Sequence, residues 1–193
     1  MGGYSNSIAV DLHVDADHEG INAVMFQRTK PKTGITLTIP GFGDRHIQTL
    51  LADYDGTLSC RGKATDGVKQ QLTRLATALN IHILTGDKKA KHDDCFGSLA
   101  VKVHILSNDD QDVQKRKYLN QFNASNVAVI GNGNNDRLLM EAVKTGGGLC
   151  FAVLNGEGCS VEAFTHAHLL VRNVTEALDL LLNPDVCAAT LRY

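Results

Sequence analysis

From Ile8 to Asp17 apolar and polar residues alternate, with Ala9 the one apolar residue on the polar side. Ile8, Val10, Leu12, Val14 and Ala16 fall on one side, and Asp11, His13, Asp15 and Asp17 on the other, the period of a half-buried strand. The apolar stretch Ile21–Phe26 has no clean period, and RTKPKTG at 28–34 reads as a linker or turn. Residues 1–33 are therefore expected to form an N-terminal extension, either a strand or hairpin that docks or a partly ordered arm. Regularity begins at residue 34. Strands are expected at Ile35–Ile39, Ile47–Asp53, Ile81–Thr85, Val101–Leu106, Asn126–Ile130, Leu149–Val153 and Leu169–Val171. Between them the spacing turns helical: Thr65 caps a helix running to about Leu79, with Val68, Leu72, Leu75 and Leu79 on one face. Further helices are expected near Lys88–Phe96 and at Asp112–Phe122, Asn135–Val143, Val161–Thr165 and Thr175–Leu182. This alternation over 34–193 predicts an α/β domain with a Rossmann-like, mostly parallel sheet and helices on both faces.

The 193 residues are 43% hydrophobic and 21% charged, which excludes a wholly disordered chain and suits one core domain with an extension. Aromatics are 5%, with no Trp, so the core must come from Val, Leu, Ile and Ala, as in parallel α/β layers. A formal net charge of −2 gives no global positive field, and no nucleic-acid partner is expected. Apolar runs fall far short of the about 18–20 residues of a membrane span, so no membrane association is expected. The first residues carry acids instead of a basic leader. The five Cys are odd in number and lack CxxC spacing. A cytoplasmic location is the resulting expectation.

In such a sheet, ligands bind beyond the carboxyl ends of the strands. Four polar clusters fall there: LLADYDGTL at 50–58, IHILTGD at 81–87, the region of Lys115 and Lys117, and VAVIGNGNNDRLLM at 127–140. Each is modest by itself. Asp55-Gly56 is a common turn pair, and Thr85-Gly86-Asp87 could simply end a strand and cap a helix. Taken in order, at successive strand ends, they resemble the four motifs of the haloacid-dehalogenase-like (HAD) phosphohydrolases. Asp53-Tyr54-Asp55-Gly56-Thr57 meets DxDGT in full, and Thr85 ends the second motif's strand. Lys115 fits the third motif, with Lys117 as the alternative, and Gly131-Asn132-Gly133-Asn134-Asn135-Asp136 meets the fourth. The similarity covers about residues 35–192 and is nearest to small soluble proteins that resemble the phosphorylation domain of P-type ATPases.

The resemblance implies a Mg²⁺-dependent phosphatase working through an aspartyl-phosphate. Asp53 would be the nucleophile and Asp55 the general acid and base. Gly56, Thr85, Gly86 and Lys115 would bind the phosphate, with Lys115 supplying positive charge. Asp53, Asp136 and the main-chain carbonyl of Asp55 would hold Mg²⁺, with Asn132 and Asn135 in support. Partial burial beside Asp53 is expected of Asp55. Asn132 stands where many members carry an acid, so weaker Mg²⁺ binding is expected. Asp55 stands where P-type ATPases carry Thr, which favours a phosphoenzyme that turns over. A phosphoryl carrier, or a non-hydrolytic regulatory or binding module on the same fold, is the alternative.

Thirty positions separate Asp55 from Thr85, and thirty more lead to Lys115, too few for a large inserted cap. The expected site is therefore open (the C0 type). It suits a phosphorylated substrate of macromolecular size, or a homo-oligomer whose neighbour covers the site. Other polar clusters read more plainly. Asp11, His13, Asp15, Asp17 and His18 suit a solvated strand face better than a metal site, and Lys88, Lys89, Lys91 and His92 suit a mixed polar helix. Cys60 is either an oxidation-sensitive thiol beside the first motif or an ordinary small residue.

Overall fold

The computed structural model describes residues 32–87, 96 and 99–193. The strand expected at 8–17, its Asp/His cluster, and all but Phe96 of the polar helix near Lys88–Phe96 lie outside the described residues. The described chain opens with an antiparallel pair, β1 (Ile35–Leu37) and β2 (Arg45–Ile47), and then enters the main sheet with β3 (Thr49–Asp53). A small hairpin follows, β4 (Ser59–Cys60) and β5 (Lys63–Ala64), and then α1 (Val68–Leu75), β6 (Asn80–Thr85) and β7 (Val101–Ile105). The second half runs α2 (Gln111–Tyr118), β8 (Val127–Gly131), α3 (Arg137–Thr145), β9 (Leu149–Val153), α4 (Val161–Thr165), β10 (Leu169–Val171), α5 (Val174–Leu182) and α6 (Pro184–Leu191). The main sheet is parallel throughout, in the order β10-β9-β8-β3-β6-β7.

Every residue of β3, β8 and β9 is buried, which is why these segments read as continuous apolar runs. Successive side chains still part to opposite faces. Leu50 and Ala52 pack in one layer with Leu72 of α1, Leu178 of α5 and Cys187 of α6. Leu51 packs in the other with Leu139 and Met140 of α3. Each fully buried Leu contributes roughly 1.5–3 kcal/mol, so β3 is fixed from both faces before any polar contact is counted.

Several expected boundaries move. The run Ile47–Asp53 divides, because Ile47 pairs back onto Ile35 while Thr49 already pairs with Asn80 and Val127. The chain thus turns from an antiparallel pair into the parallel sheet at Gln48. Thr65 does not cap α1: the helix begins at Val68, and the buried Thr65 hydroxyl finds no hydrogen-bond partner among the described residues. Val68, Leu72 and Leu75 do form its buried stripe. The helix expected at Asn135–Val143 starts at Arg137, after a tighter turn over Asn134–Asp136. Two elements were not anticipated. The β4–β5 hairpin is too short to show a period, and α6 starts on Pro184, which reads as a stop but is well suited to a first helical turn.

Gly148 marks a close approach before β9. A Cβ there would stand 2.4 Å from the Ala124 carbonyl oxygen and 2.5 Å from that of Val127. Backbone cannot yield as a flexible side chain can, so Gly148→Ala is expected to destabilise by about 1–3 kcal/mol. Urea unfolding should show a lower midpoint with an unchanged slope.

Candidate active site

β3 ends on Asp53, and the chain turns at once through Tyr54–Leu58, closed by the Ser59 N–H donating to the Tyr54 carbonyl. Gly56 adopts φ 75 in this turn, where an L side chain is strained. A Cβ on it would also come 2.6 Å from the Asn132 amide nitrogen, so the turn and the 131–136 loop pack without a gap. β6 ends on Thr85 and β8 on Gly131, and both strands flank β3. Parallel pairing therefore gathers the three loops at one end of the sheet, and α2 brings Lys115 to them.

Lys115 is 1% exposed, and its Nζ lies 2.6 Å from Asp53 Oδ1 and 2.7 Å from Asp136 Oδ1. Lys117, two residues on in the same helix, is exposed. Asp136 Oδ2 accepts the N–H groups of Asn132 and Gly133, both at 3.0 Å. The Thr57 hydroxyl lies 3.2 Å from Asp53 Oδ2 and 3.1 Å from Asn132 Oδ1, so its one proton serves either. Thr85 donates its hydroxyl to Asp55 Oδ2 at 3.0 Å and accepts from the Asp87 N–H at 2.9 Å. Asn135 donates to Gln111 Oε1 at 3.2 Å, and the Gln111 amide packs on Gly86.

Burial is distributed differently from expectation. Asp55 is exposed, whereas Asp53 is 5% exposed. Burial, reinforced by the nearby Asp136 carboxylate, pushes the Asp53 carboxyl up from an ordinary 3.8 to about 7, with Lys115 pulling the other way. Burial would lower the Lys115 ammonium, but the carboxylates of Asp136 and Asp53 outweigh it and hold the lysine above its ordinary range. The charged lysine is the fixed point, and two buried carboxylates share it.

That arrangement leaves an excess of negative charge walled by hard oxygen donors, a set that fits a divalent cation of the Mg²⁺ kind. Among the described residues, no group of three or more His, Cys, Asp or Glu side chains could hold a metal, so a cation here would also need main-chain or amide oxygens. Asp136 already meets Lys115 and two amides, while the side-chain oxygen of Asn132 shares the Thr57 hydroxyl with Asp53. Asn132 and Asp53 thus present their side-chain oxygens to one hydroxyl.

No family model matches the chain. It is 34% identical over 96 residues to the uncharacterized protein MJ0073 of Methanocaldococcus jannaschii, an alignment that takes in 48% of this chain and 99% of the archaeal one. Among solved structures it is similar to 3-deoxy-D-manno-octulosonate 8-phosphate phosphatase from Moraxella catarrhalis, in complex with magnesium ion, phosphate ion and a KDO molecule. There the TM-score is 0.54 at 20% identity, covering 76% of this chain and 91% of that one. A HAD-superfamily subfamily III A protein from Legionella pneumophila gives a TM-score of 0.54 at 22% identity, covering 75% and 87%. The chain belongs to one family with the archaeal protein, and its fold is the HAD fold.

On that HAD core the sequence-identified Asp53, Asp55, Gly56, Thr85, Gly86, Lys115, Asn132, Asn135 and Asp136 are connected through the contacts above. No large insertion separates Asp55 from Thr85: the interval holds the β4–β5 hairpin, α1 and β6. Two contributors went unassigned in the sequence. Thr57 lies within the DxDGT match, and its hydroxyl turns out to face Asp53. Asn155 follows β9, and its side-chain nitrogen donates to the carbonyls of Gly56 and Thr57. Its position just past the apolar run Leu149–Val153, at a strand's carboxyl end, was the available signal.

Neutralising one carboxylate should relieve the excess charge. In chelator, Asp53→Asn is expected to raise Tm by at least about 2–4 °C at pH 7, the shift that ~1 kcal/mol gives in a domain of this size. In the wild type, the folded chain holds a proton on Asp53 that the unfolded chain releases above 3.8. Wild-type stability therefore falls as pH rises from about 4 to about 7, and the gap to the variant should widen over that window and level off above it. Lys115→Met, which leaves two buried carboxylates facing each other, is expected to destabilise by roughly 3–5 kcal/mol. Thermal unfolding of both variants between pH 4 and 8 checks the opposite signs.

Proposed function

We propose that this protein is a Mg²⁺-dependent phosphomonoester hydrolase that works through an aspartyl-phosphate on Asp53. The observation that carries the reading is the pair Asp53 and Asp55. One carboxylate is buried against Lys115, and the other is exposed and aimed by Thr85. The likeness in fold to a phosphatase solved with magnesium and phosphate supports it.

In the first half-reaction an Asp53 oxygen attacks phosphorus in line, and the bond to the leaving oxygen breaks. Asp55, reached from open solvent, gives that oxygen its proton. In the second, Asp55 takes a proton from water, whose oxygen attacks the acyl phosphate, returning Asp53 and releasing phosphate. Lys115 compensates the charge of the transferred group and keeps Asp53 oriented. Thr85 holds Asp55 until substrate arrives, when its hydroxyl can turn to a phosphate oxygen. Asp53, the Asp55 main-chain carbonyl, Asn132 and Asp136 are the donors that would hold Mg²⁺, which supplies charge neutralisation at the phosphoryl oxygens and keeps Asp53 ionised. The Asp55 acid favours turnover over a persistent phosphoenzyme, and so a phosphatase over a phosphoryl carrier.

Hydrolysis of p-nitrophenyl phosphate with Mg²⁺ tests the reading. Wild type should turn over, chelator should abolish the activity, and Asp53→Asn should reduce kcat by at least about 10³-fold. Turnover that survives in Asp53→Asn would sink the mechanism. Trapped phosphate without release in the wild type would favour the carrier. Asn132→Asp restores a charge at the cation site and is expected to lower the Mg²⁺ concentration for half-maximal rate by about tenfold, measured by titration.

A further inference from the structure

Asn155 sits where β9 has ended, and its N–H donates to the Arg172 carbonyl at 2.9 Å, carrying the pairing with β10 one step further. Its backbone lies at φ 42, a left-handed conformation that Asn tolerates better than most residues. The side-chain amide is fully used. Nδ2 donates to the Gly56 carbonyl at 2.9 Å and the Thr57 carbonyl at 2.6 Å, while Oδ1 accepts from the Val174 N–H at 3.3 Å. One amide thus ties the turn after Asp53 to the start of α5.

The two acids of that turn depend on it unequally. Asp53 is the last residue of β3, paired in register with Leu84 and held by Lys115 at 2.6 Å. It has anchors of its own. Asp55 is exposed, and its carboxylate is met by the Thr85 hydroxyl. Its direction follows from the backbone of residues 55–57, whose next two carbonyls are those that Asn155 holds.

We propose that Asn155 is a positioning residue that aims Asp55 by fixing the Gly56 and Thr57 carbonyls. The inference rests on the phosphatase reading above. It makes the proton-transfer step, and not nucleophilic attack, the step that depends on the loop after β9.

The test compares esters that differ in their need for a proton on the leaving oxygen. Asn155→Gly keeps the backbone conformation accessible and removes the amide. Asn155→Asp keeps the shape but faces two carbonyls with a carboxylate. For both variants, kcat/KM on phenyl phosphate, which reports the steps up to release of the alcohol and not the later attack of water, is expected to fall about 100-fold, the scale of a lost general acid. On p-nitrophenyl phosphate, whose leaving group departs readily as an anion, the loss in kcat/KM should stay below about tenfold. Placed on Asp55→Asn, Asn155→Gly should cost less than about twofold more on phenyl phosphate. Equal losses on the two esters, or full additivity with Asp55→Asn, would overturn the proposal. Hydrogen exchange reads the clamp without turnover: the 54–58 segment should exchange about tenfold faster in Asn155→Gly, with 80–85 unchanged. Unchanged exchange at 54–58 overturns the clamp. A wild type that hydrolyses neither ester overturns the phosphatase reading, and exchange then judges the clamp by itself.

Discussion

Lys115 carries its ammonium to a place 1% exposed and meets Asp53 and Asp136 there, at 2.6 and 2.7 Å. Taking an ammonium out of water costs several kcal/mol, which a carboxylate at good distance with its other oxygen hydrogen-bonded, as Asp136 has, offsets. The second carboxylate brings a buried charge of its own, so the pair needs the lysine more than the lysine needs both. β3, α2 and the loop after β8 each contribute one member of this set. None of the three can shift without stranding a buried charge. With both carboxylates ionised, the contact leaves one anion in excess.

The surrounding core makes such a contact affordable. β3, β8 and β9 are buried along their whole length, and the two apolar layers hold the strand ends at fixed spacing. A side chain at a strand end inherits that rigidity, while one two residues further on does not. Asp53 and Asp55 are separated by a single residue, yet one is buried beside Lys115 and the other is exposed beside Thr85. Two carboxylates in different environments can take different roles in one reaction. The turn that carries the second acid is contacted from outside: Thr85 meets the Asp55 carboxylate, and Asn155 bonds the Gly56 and Thr57 carbonyls.

The apolar periodicity of the chain was sufficient to place most of the strands and helices from residue 35 onward, because burial on one or two faces writes itself directly into residue type. It failed where pairing changes direction, as at Gln48, and where an element is too short to show a period, as in the β4–β5 hairpin. It also misread Pro184, since a residue that cannot continue a helix can begin one. Of the candidate site residues, Asp53, Asp55, Thr85 and Asp136 were picked out by motif order, and the structure brings them to one end of the sheet. Lys115 was preferred to Lys117 on the sequence, but both are lysines on one short helix, and the face that meets the sheet is a matter of tertiary packing.

By itself, then, the sequence determined the parallel α/β layering and the set of polar groups at the strand ends, since both follow from local residue type and spacing. Tertiary structure decided which of those groups touch. It chose Lys115, tied Asp136 to the lysine and to two amides, turned Asn132 and Thr57 toward Asp53, and brought Asn155 onto a turn 98 and 99 positions away. The reason is geometric: contacts across parallel strands join residues far apart in the chain, and no local pattern records the register that brings them together.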